Sequence, residues 1–414
     1  MKKRILSAYL IIVCLFCLGS NCIATNMYTW LITQETSSNI DETTAVSAAI
    51  ADGDETENSL NLQSGSAILI EQTSGQVLYG YNVHEQLRPA SVTKIMSILL
   101  IMEQIQLGKI DYTTKISCSS NAASMGGSQI WLDTSETLSV DEMLKAICVV
   151  SANDCVMAMA EHIAGTEEGF VQLMNAKAQK LGMNDTTFKN CHGLDEDGHV
   201  TSTYDIALMS RELLSKYPEI TKYTTIYMDS LREGQSSLVN TNKLVRTYNG
   251  CTGLKTGSTS QALFNLSATA TRDGLSLIAV IMKGPTSAIR FDEAKTLLDY
   301  GFNNFEYRQL GTKGQKVKDI NIEKGISKTV DVVFEKDVGA LIPKGQSASI
   351  SQAISLSDTM PAPLAEGEVV GKATYNIGDN KLLEVNLIAK EEVKKIDIIT
   401  MTCKVYEKWF NLLR

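Results

Sequence analysis

The sequence predicts an α/β protein of the α+β kind: an antiparallel sheet flanked by helices, a small all-β sandwich-like domain, and a C-terminal amphipathic helix. Three observations predict it. Strand-and-turn patterns stand at both ends of a long first unit, with helical periodicity between them. Past Phe305 the apolar runs become short and β-branched, separated by Gly, Pro, Asp and Asn. From Ile398 a helical period returns, with large side chains on one face.

Taken in order, residues 1–24 read as a secretion signal. Lys2, Lys3 and Arg4 lead an apolar run over 5–19 that is short for a membrane span, and Cys22-Ile23-Ala24 offers a cleavage site. Export places the substrate outside the cytoplasmic membrane. Residues 25–63 form an acidic linker or disordered arm whose Ser, Thr, Asp, Glu and Asn bury too little to repay ordering. The first domain then spans 64–305. Runs at 67–70 and 77–79 flank Thr73-Ser74-Gly75 as strand, turn and strand. Pro89 stands ahead of a helix over 91–106 that is apolar nearly all round, hence buried. Helices follow over 140–150 and 155–163, with Ser151-Ala152-Asn153 in the break between them. Two more cover 167–181, closed by Gly182, and 204–215. A strand at 253–256, a hairpin of 264–271 with 275–282 around Arg272-Asp273-Gly274, and a helix over 287–300 complete the unit. The all-β domain, 306–390, takes strands at 317–326, 328–334, 348–356, 368–376 and 381–389. In the tail, 391–414, Val405, Trp409 and Leu412 or Leu413 share a side opposite Lys404, Lys408 and Arg414. Such a helix either docks on the body or lies in a membrane interface; the large apolar side chains and basic ring favour the membrane.

Composition narrows the function. A chain of 414 residues has room for two domains. A net charge of −9 without a basic stripe excludes a nucleic-acid binder. Of nine cysteines, Cys14, Cys17 and Cys22 belong to the signal. Cys118, Cys148, Cys155, Cys191, Cys251 and Cys403 show no metal-ligand spacing, and His84, His162, His192 and His199 are scattered. No metal and no cofactor is expected. Cys148 and Cys155 read as small buried apolar residues.

Three short motifs carry the chemistry. Ser91 opens the Ser-Xaa-Xaa-Lys Ser91-Val92-Thr93-Lys94, Ser151-Ala152-Asn153 follows, and Lys255-Thr256-Gly257 comes last. Together they supply a nucleophile, two amines, a second hydroxyl and an amide, the parts of a serine acyl-transfer site without a histidine base. Lys94, one helical turn past Ser91, reaches its hydroxyl. It serves as a base once burial and the Lys255 cation lower its pKa. Gly257 allows a substrate backbone close to the strand. Alone, each motif is a helix cap or a solvated lysine; their order is what points to one site.

The segments Pro89-Ala90-Ser91-Val92-Thr93-Lys94-Ile95-Met96, Ser151-Ala152-Asn153-Asp154 and Gly253-Leu254-Lys255-Thr256-Gly257 resemble the D-alanyl-D-alanine carboxypeptidases, the low-molecular-mass penicillin-binding proteins. Asn190-Cys191-His192-Gly193-Leu194, Asn240-Thr241-Asn242 and Arg290-Phe291 add to the likeness, which runs over about 66–389 and is most similar to the sporulating Gram-positive branch. The resemblance implies a β-lactamase/transpeptidase-like fold and a peptidoglycan stem peptide ending in D-Ala-D-Ala as substrate. It implies Ser91 as nucleophile, Lys94 as base, and an oxyanion hole from the Ser91 and Ser258 N–H groups. Ser151, held by Lys94 and Lys255, would relay a proton, and Asn153 would orient Lys94 and the substrate amide. Lys255, Thr256, Gly257, Ser258 and Arg290 would bind the substrate and its carboxylate. β-Lactams would acylate Ser91, and the tail would anchor to the membrane. Ser258 stands where a larger side chain is common, and Cys251-Thr252 replaces a more usual apolar-acid pair. Competing readings are a D,D-endopeptidase, a β-lactamase, though no Glu-Xaa-Xaa-Leu-Asn follows Ser151, and a non-catalytic wall-binding protein.

Overall fold

A computed structural model describes residues 58–346, 349–402, 406 and 409. The signal, nearly all of the acidic arm, and the tail positions Lys404, Val405, Lys408, Leu412, Leu413 and Arg414 lie outside the described residues.

The first unit is built on five antiparallel strands. β1 (Ser66–Glu71), β2 (Val77–Tyr81), β3 (Cys251–Thr259), β4 (Leu263–Arg272) and β5 (Leu275–Gly284) lie in the order β2-β1-β5-β4-β3. The sheet's first hairpin therefore pairs beside its last strand, with Ala67 opposite Ile281. The β4–β5 turn is Asp273-Gly274, both at positive φ (50° and 81°), the two-residue hairpin geometry that matches strand twist.

Both faces of the sheet are covered, and period-two alternation divides the strands between two cores. On β5, Ile278, Val280 and Met282 face a large helical layer. Leu277, Ala279 and Ile281 face α6 (Ser287–Asn304), against Phe291, Ala294, Leu297 and Leu298. The helical layer comprises α1 (Lys94–Gln106), α2 (Val140–Val149), α3 (Asn153–Ala164), α4 (Glu167–Lys180) and α5 (Thr203–Lys216). In α1 every residue from Lys94 to Met102 is buried. Cys148 and Cys155 are buried free thiols.

Two differences from the sequence reading bear on the site. Ser91 does not begin the α-helix: it sits in a 3₁₀ turn, Ala90–Thr93, and α1 starts at Lys94. Ala90 and Ser151 both take left-handed backbone conformations, φ 49° and 65°, which non-glycine residues hold only where surrounding packing compels it.

The second unit is β-rich. β6 (Phe305–Gly311) pairs with β9 (Val338–Pro343) as a separate ribbon. β7 (Lys316–Glu323), β8 (Thr329–Phe334), β10 (Ile350–Leu356), β11 (Thr359–Pro361), β12 (Val369–Ile377) and β13 (Asn380–Ala389) form one sheet, ordered β10-β12-β13-β8-β7-β11. The sequence reading lacked β6, β9 and β11. β6 carries Glu306, Arg308 and Gln309 and runs on from α6 without a turn. β9 holds Gly339 and ends in Pro343, residues that weaken a strand signal. Described residues of the tail include exposed Ile398, Ile399, Met401, Tyr406 and Trp409. Among the described residues no helix is long and apolar enough to cross a membrane.

Candidate active site

The site is assembled where the 3₁₀ turn, the α2–α3 junction and the edge strand β3 converge. Pro89 precedes the turn, and the buried start of α1 carries Lys94 inward at 0 % exposure. Lys94 Nζ donates to Ser91 Oγ at 2.9 Å and to the carbonyl of His192 at 2.7 Å. Burial first, then the Lys255 cation, hold the Lys94 amine well below its usual pKa. A neutral amine bonded to a serine hydroxyl can accept its proton.

Lys255 lies on β3, opposite Ser267 of β4, with 1 % exposure. Burial lowers its pKa to about 7, opposed by Cys148 and assisted by Arg290. Its Nζ donates to the Thr256 carbonyl at 2.9 Å. The Thr256 hydroxyl meets that of Thr241 at 2.7 Å. Gly257 is where β3 passes the nucleophile turn: a Cβ there would come within 2.9 Å of Pro89 O, Ser91 N and Val92 N. Ser258, next along, is exposed.

Three side chains sit differently from what the resemblance implied. Ser151 is buried, but its Oγ has no hydrogen-bond partner, and neither Lys94 nor Lys255 donates to it. Asn153 does not hold Lys94. Its Nδ2 donates to Gly126 O at 2.6 Å, and its Oδ1 is buried without a partner. Arg290 is likewise committed to the fold: Nη1 donates to the carbonyls of Gly257 (3.0 Å) and Asn265 (3.2 Å). Burial lowers its pKa to about 10, and its buried Nε is unpartnered. These orphaned atoms matter because buried polar groups in native proteins are nearly always satisfied.

Several supporting residues escaped sequence reasoning. Asp154 Oδ2 accepts from the N–H groups of Ile130 (3.0 Å) and Leu132 (3.1 Å), fixing the loop that Asn153 also grips. Asn265 donates to Arg88 O and Pro89 O while its Oδ1 accepts from Lys283 N, tying β4 to the segment before Ser91. Gly193, at φ 90°, packs so closely that a Cβ would lie 2.0 Å from Ala90 O. Asp154 and the 190–194 segment stood in family-like motifs; Asn265 had no signal beyond being a polar residue inside an apolar strand.

A serine bonded to a buried, deprotonation-prone lysine, with a second lysine on a strand edge, defines a serine acyl-transfer hydrolase with an amine base. Comparison with known proteins agrees. The family model for D-alanyl-D-alanine carboxypeptidase matches residues 53–286, and that for the penicillin-binding protein 5 C-terminal domain matches 305–395. The chain belongs to the D-alanyl-D-alanine carboxypeptidase family. It is 41% identical over 351 residues to the D-alanyl-D-alanine carboxypeptidase DacF of Bacillus subtilis, covering 84% of this chain and 90% of that one. Penicillin-binding protein 5 of Haemophilus influenzae superposes with a TM-score of 0.70 at 30% identity, over 81% of this chain and 98% of that one. Penicillin-binding protein D2 of Listeria monocytogenes, solved with ampicillin bound, gives 0.54 at 30% identity, over 59% of this chain and 99% of that one.

Proposed function

We propose that Ser91 is the acylated nucleophile of a serine-type D-Ala-D-Ala carboxypeptidase that trims peptidoglycan stem peptides outside the cytoplasmic membrane. The observation that carries this is the 2.9 Å bond between Ser91 Oγ and the fully buried Lys94 amine. Lys94 takes the Ser91 proton as Oγ attacks the carbonyl joining the two terminal D-alanines. The Ser91 and Ser258 N–H groups receive the developing oxyanion. The unpartnered Ser151 hydroxyl passes a proton from Lys94 to the leaving D-alanine nitrogen, and the unpartnered Asn153 Oδ1 accepts from the substrate amide. Lys255 and the Thr256 hydroxyl hold the terminal carboxylate. Arg290 does so only indirectly, by holding the carbonyl of Gly257. Water then attacks the acyl carbon, Lys94 takes its proton, and the shortened peptide leaves with Ser91 restored. A β-lactam enters the same route and stops at the acyl-enzyme.

The carboxypeptidase domain spans 64–305 and the β domain 306–390. The tail, 391–414, lies in the membrane interface; exposed Ile398, Ile399, Met401, Tyr406 and Trp409 support that reading. Co-sedimentation with anionic vesicles tests it: loss of binding on removing 398–414 is expected, and unchanged binding removes the anchor.

The deciding experiment is D-alanine release from a diacyl-L-Lys-D-Ala-D-Ala tripeptide beside the Ser91→Ala variant. Release and penicillin labelling by the wild type alone are expected. Labelling without release points to a D,D-endopeptidase, and failure of both points to a non-catalytic wall protein.

A further inference from the structure

Glu167 is the first residue of α4, a helix capped by Thr166, whose side chain accepts the Gly169 N–H. Its carboxylate turns to the 190–194 segment instead. Oε1 accepts the Cys191 N–H at 3.1 Å and lies 3.4 Å from His192 Nε2. His192 Nδ1 accepts from Leu194 N–H at 3.1 Å, so the imidazole proton resides on Nε2, facing the carboxylate. Burial, with Lys94 and His199 nearby, holds that imidazole neutral, its pKa down to about 3. The carbonyls of the same two residues point the other way, onto α1: Cys191 O accepts from Ser97 Oγ at 2.6 Å and His192 O from Lys94 Nζ at 2.7 Å.

We propose that Glu167 is a positioning residue for Lys94, acting through the Cys191–His192 backbone whose carbonyl receives the amine. Glu167 has no hydrogen bond to Ser91, Lys94 or Lys255, so its influence runs through that segment. Asn190 braces the far side, its Oδ1 accepting from Gly193 N–H at 2.7 Å and its Nδ2 donating to Leu194 O at 3.0 Å. The near side depends on Glu167. Around the carboxylate stand Glu168, Glu196, Cys191 and His192, and burial lifts its pKa. Around Lys94 stand Lys255, Cys191 and Asp154. An acceptor carbonyl stabilises the ammonium form of Lys94 more than the amine, so a displaced carbonyl lowers the Lys94 pKa further.

The inference rests on Ser91 and Lys94 acting as proposed above, and the test separates the two. Glu167→Ala, Glu167→Gln and wild type are compared for D-alanine release and penicillin acylation from about pH 4 to 10. Glu167→Ala is expected to lose about tenfold or more in kcat and in acylation rate, with KM within about twofold. The acidic limb of kcat/KM moves to lower pH. Glu167→Gln, which keeps an oxygen for the Cys191 N–H, recovers to within about threefold. Wild-type rates and pH profile in Glu167→Ala overturn the positioning role and leave the functional reading standing. So does a loss without a moved limb that Gln fails to rescue. A wild type that neither acylates nor releases D-alanine overturns both readings.

Discussion

The two lysines of the site are both fully buried, and their different surroundings suit them to different tasks. Lys94 gives up its proton first, since burial and the Lys255 cation act on it together. Lys255 keeps its proton to about pH 7. The sign of the pH dependence follows. In the proposed role a charged Lys255 holds a carboxylate and a neutral one does not, so kcat/KM is expected to fall as pH rises through about 7, because that ratio reports the free enzyme. In kcat the fall lies at higher pH, where bound carboxylate favours the ammonium. Lys255→Ala should lower kcat/KM, abolish the alkaline limb and move the acidic limb to higher pH, because the cation that lowers the Lys94 pKa is gone. An unmoved alkaline limb in that variant assigns it to another group. Stability has its own window. Between about pH 7 and 10.5 the unfolded chain binds a proton that folded Lys255 does not, so stability rises with pH there. Urea titrations of wild type and Lys255→Met at pH 7 and 9.5 should show a shallower slope in the variant, where the buried Lys94 amine alone still contributes one. At this scale much was legible in the sequence: a lysine three residues past a serine on a buried helix needs a partner. The Lys94 acceptor on His192 was not legible, because a backbone carbonyl carries no residue identity.

Elements bring the motifs together, and β3 against the nucleophile turn is the tightest apposition. Gly257→Ala puts a methyl 2.9 Å from three backbone atoms of 89–92. The strand must retreat from Ser91, and its Ser258 N–H retreats with it. Acylation by penicillin should fall about 100-fold, the scale of a misplacement near 1 Å, while far-UV circular dichroism stays native; wild-type acylation would remove this constraint. Asn265 sets the same apposition from β4. Asn265→Ala removes three hydrogen bonds and leaves buried carbonyls with fewer donors, a loss of about 2–4 kcal/mol in urea unfolding. The sequence showed strands β1, β3, β4 and β5 through their alternation and turns and set the N-terminal hairpin beside the later strands, yet not which of them it meets. That β1 pairs with β5 is a non-local fact decided by which apolar faces must be covered. Asn153 shows the complementary limit. Its place in a motif was visible, but the Gly126 carbonyl it binds comes from a loop 27 residues earlier.

The whole molecule divides its labour along the chain. Every group assigned to chemistry precedes residue 305, yet the core under the sheet does not end there. Leu341 of β9 belongs to the same buried cluster as Leu277, Leu297 and Phe302, with Phe305 and Tyr307 of β6 packed beside it. The β6–β9 ribbon thus seals the α6 side of the carboxypeptidase unit, and α6 carries Arg290, which holds the Gly257 carbonyl. The ribbon is therefore expected to stabilise rather than catalyse. Leu341→Ala should cost about 2–3 kcal/mol by opening a cavity in the cluster that also holds Leu277 and Phe302. Its penicillin acylation rate at 25 °C should stay within about twofold of wild type. If activity instead falls in step with stability, the ribbon positions Arg290 and β3 directly, and the β domain shares in setting the geometry of the site.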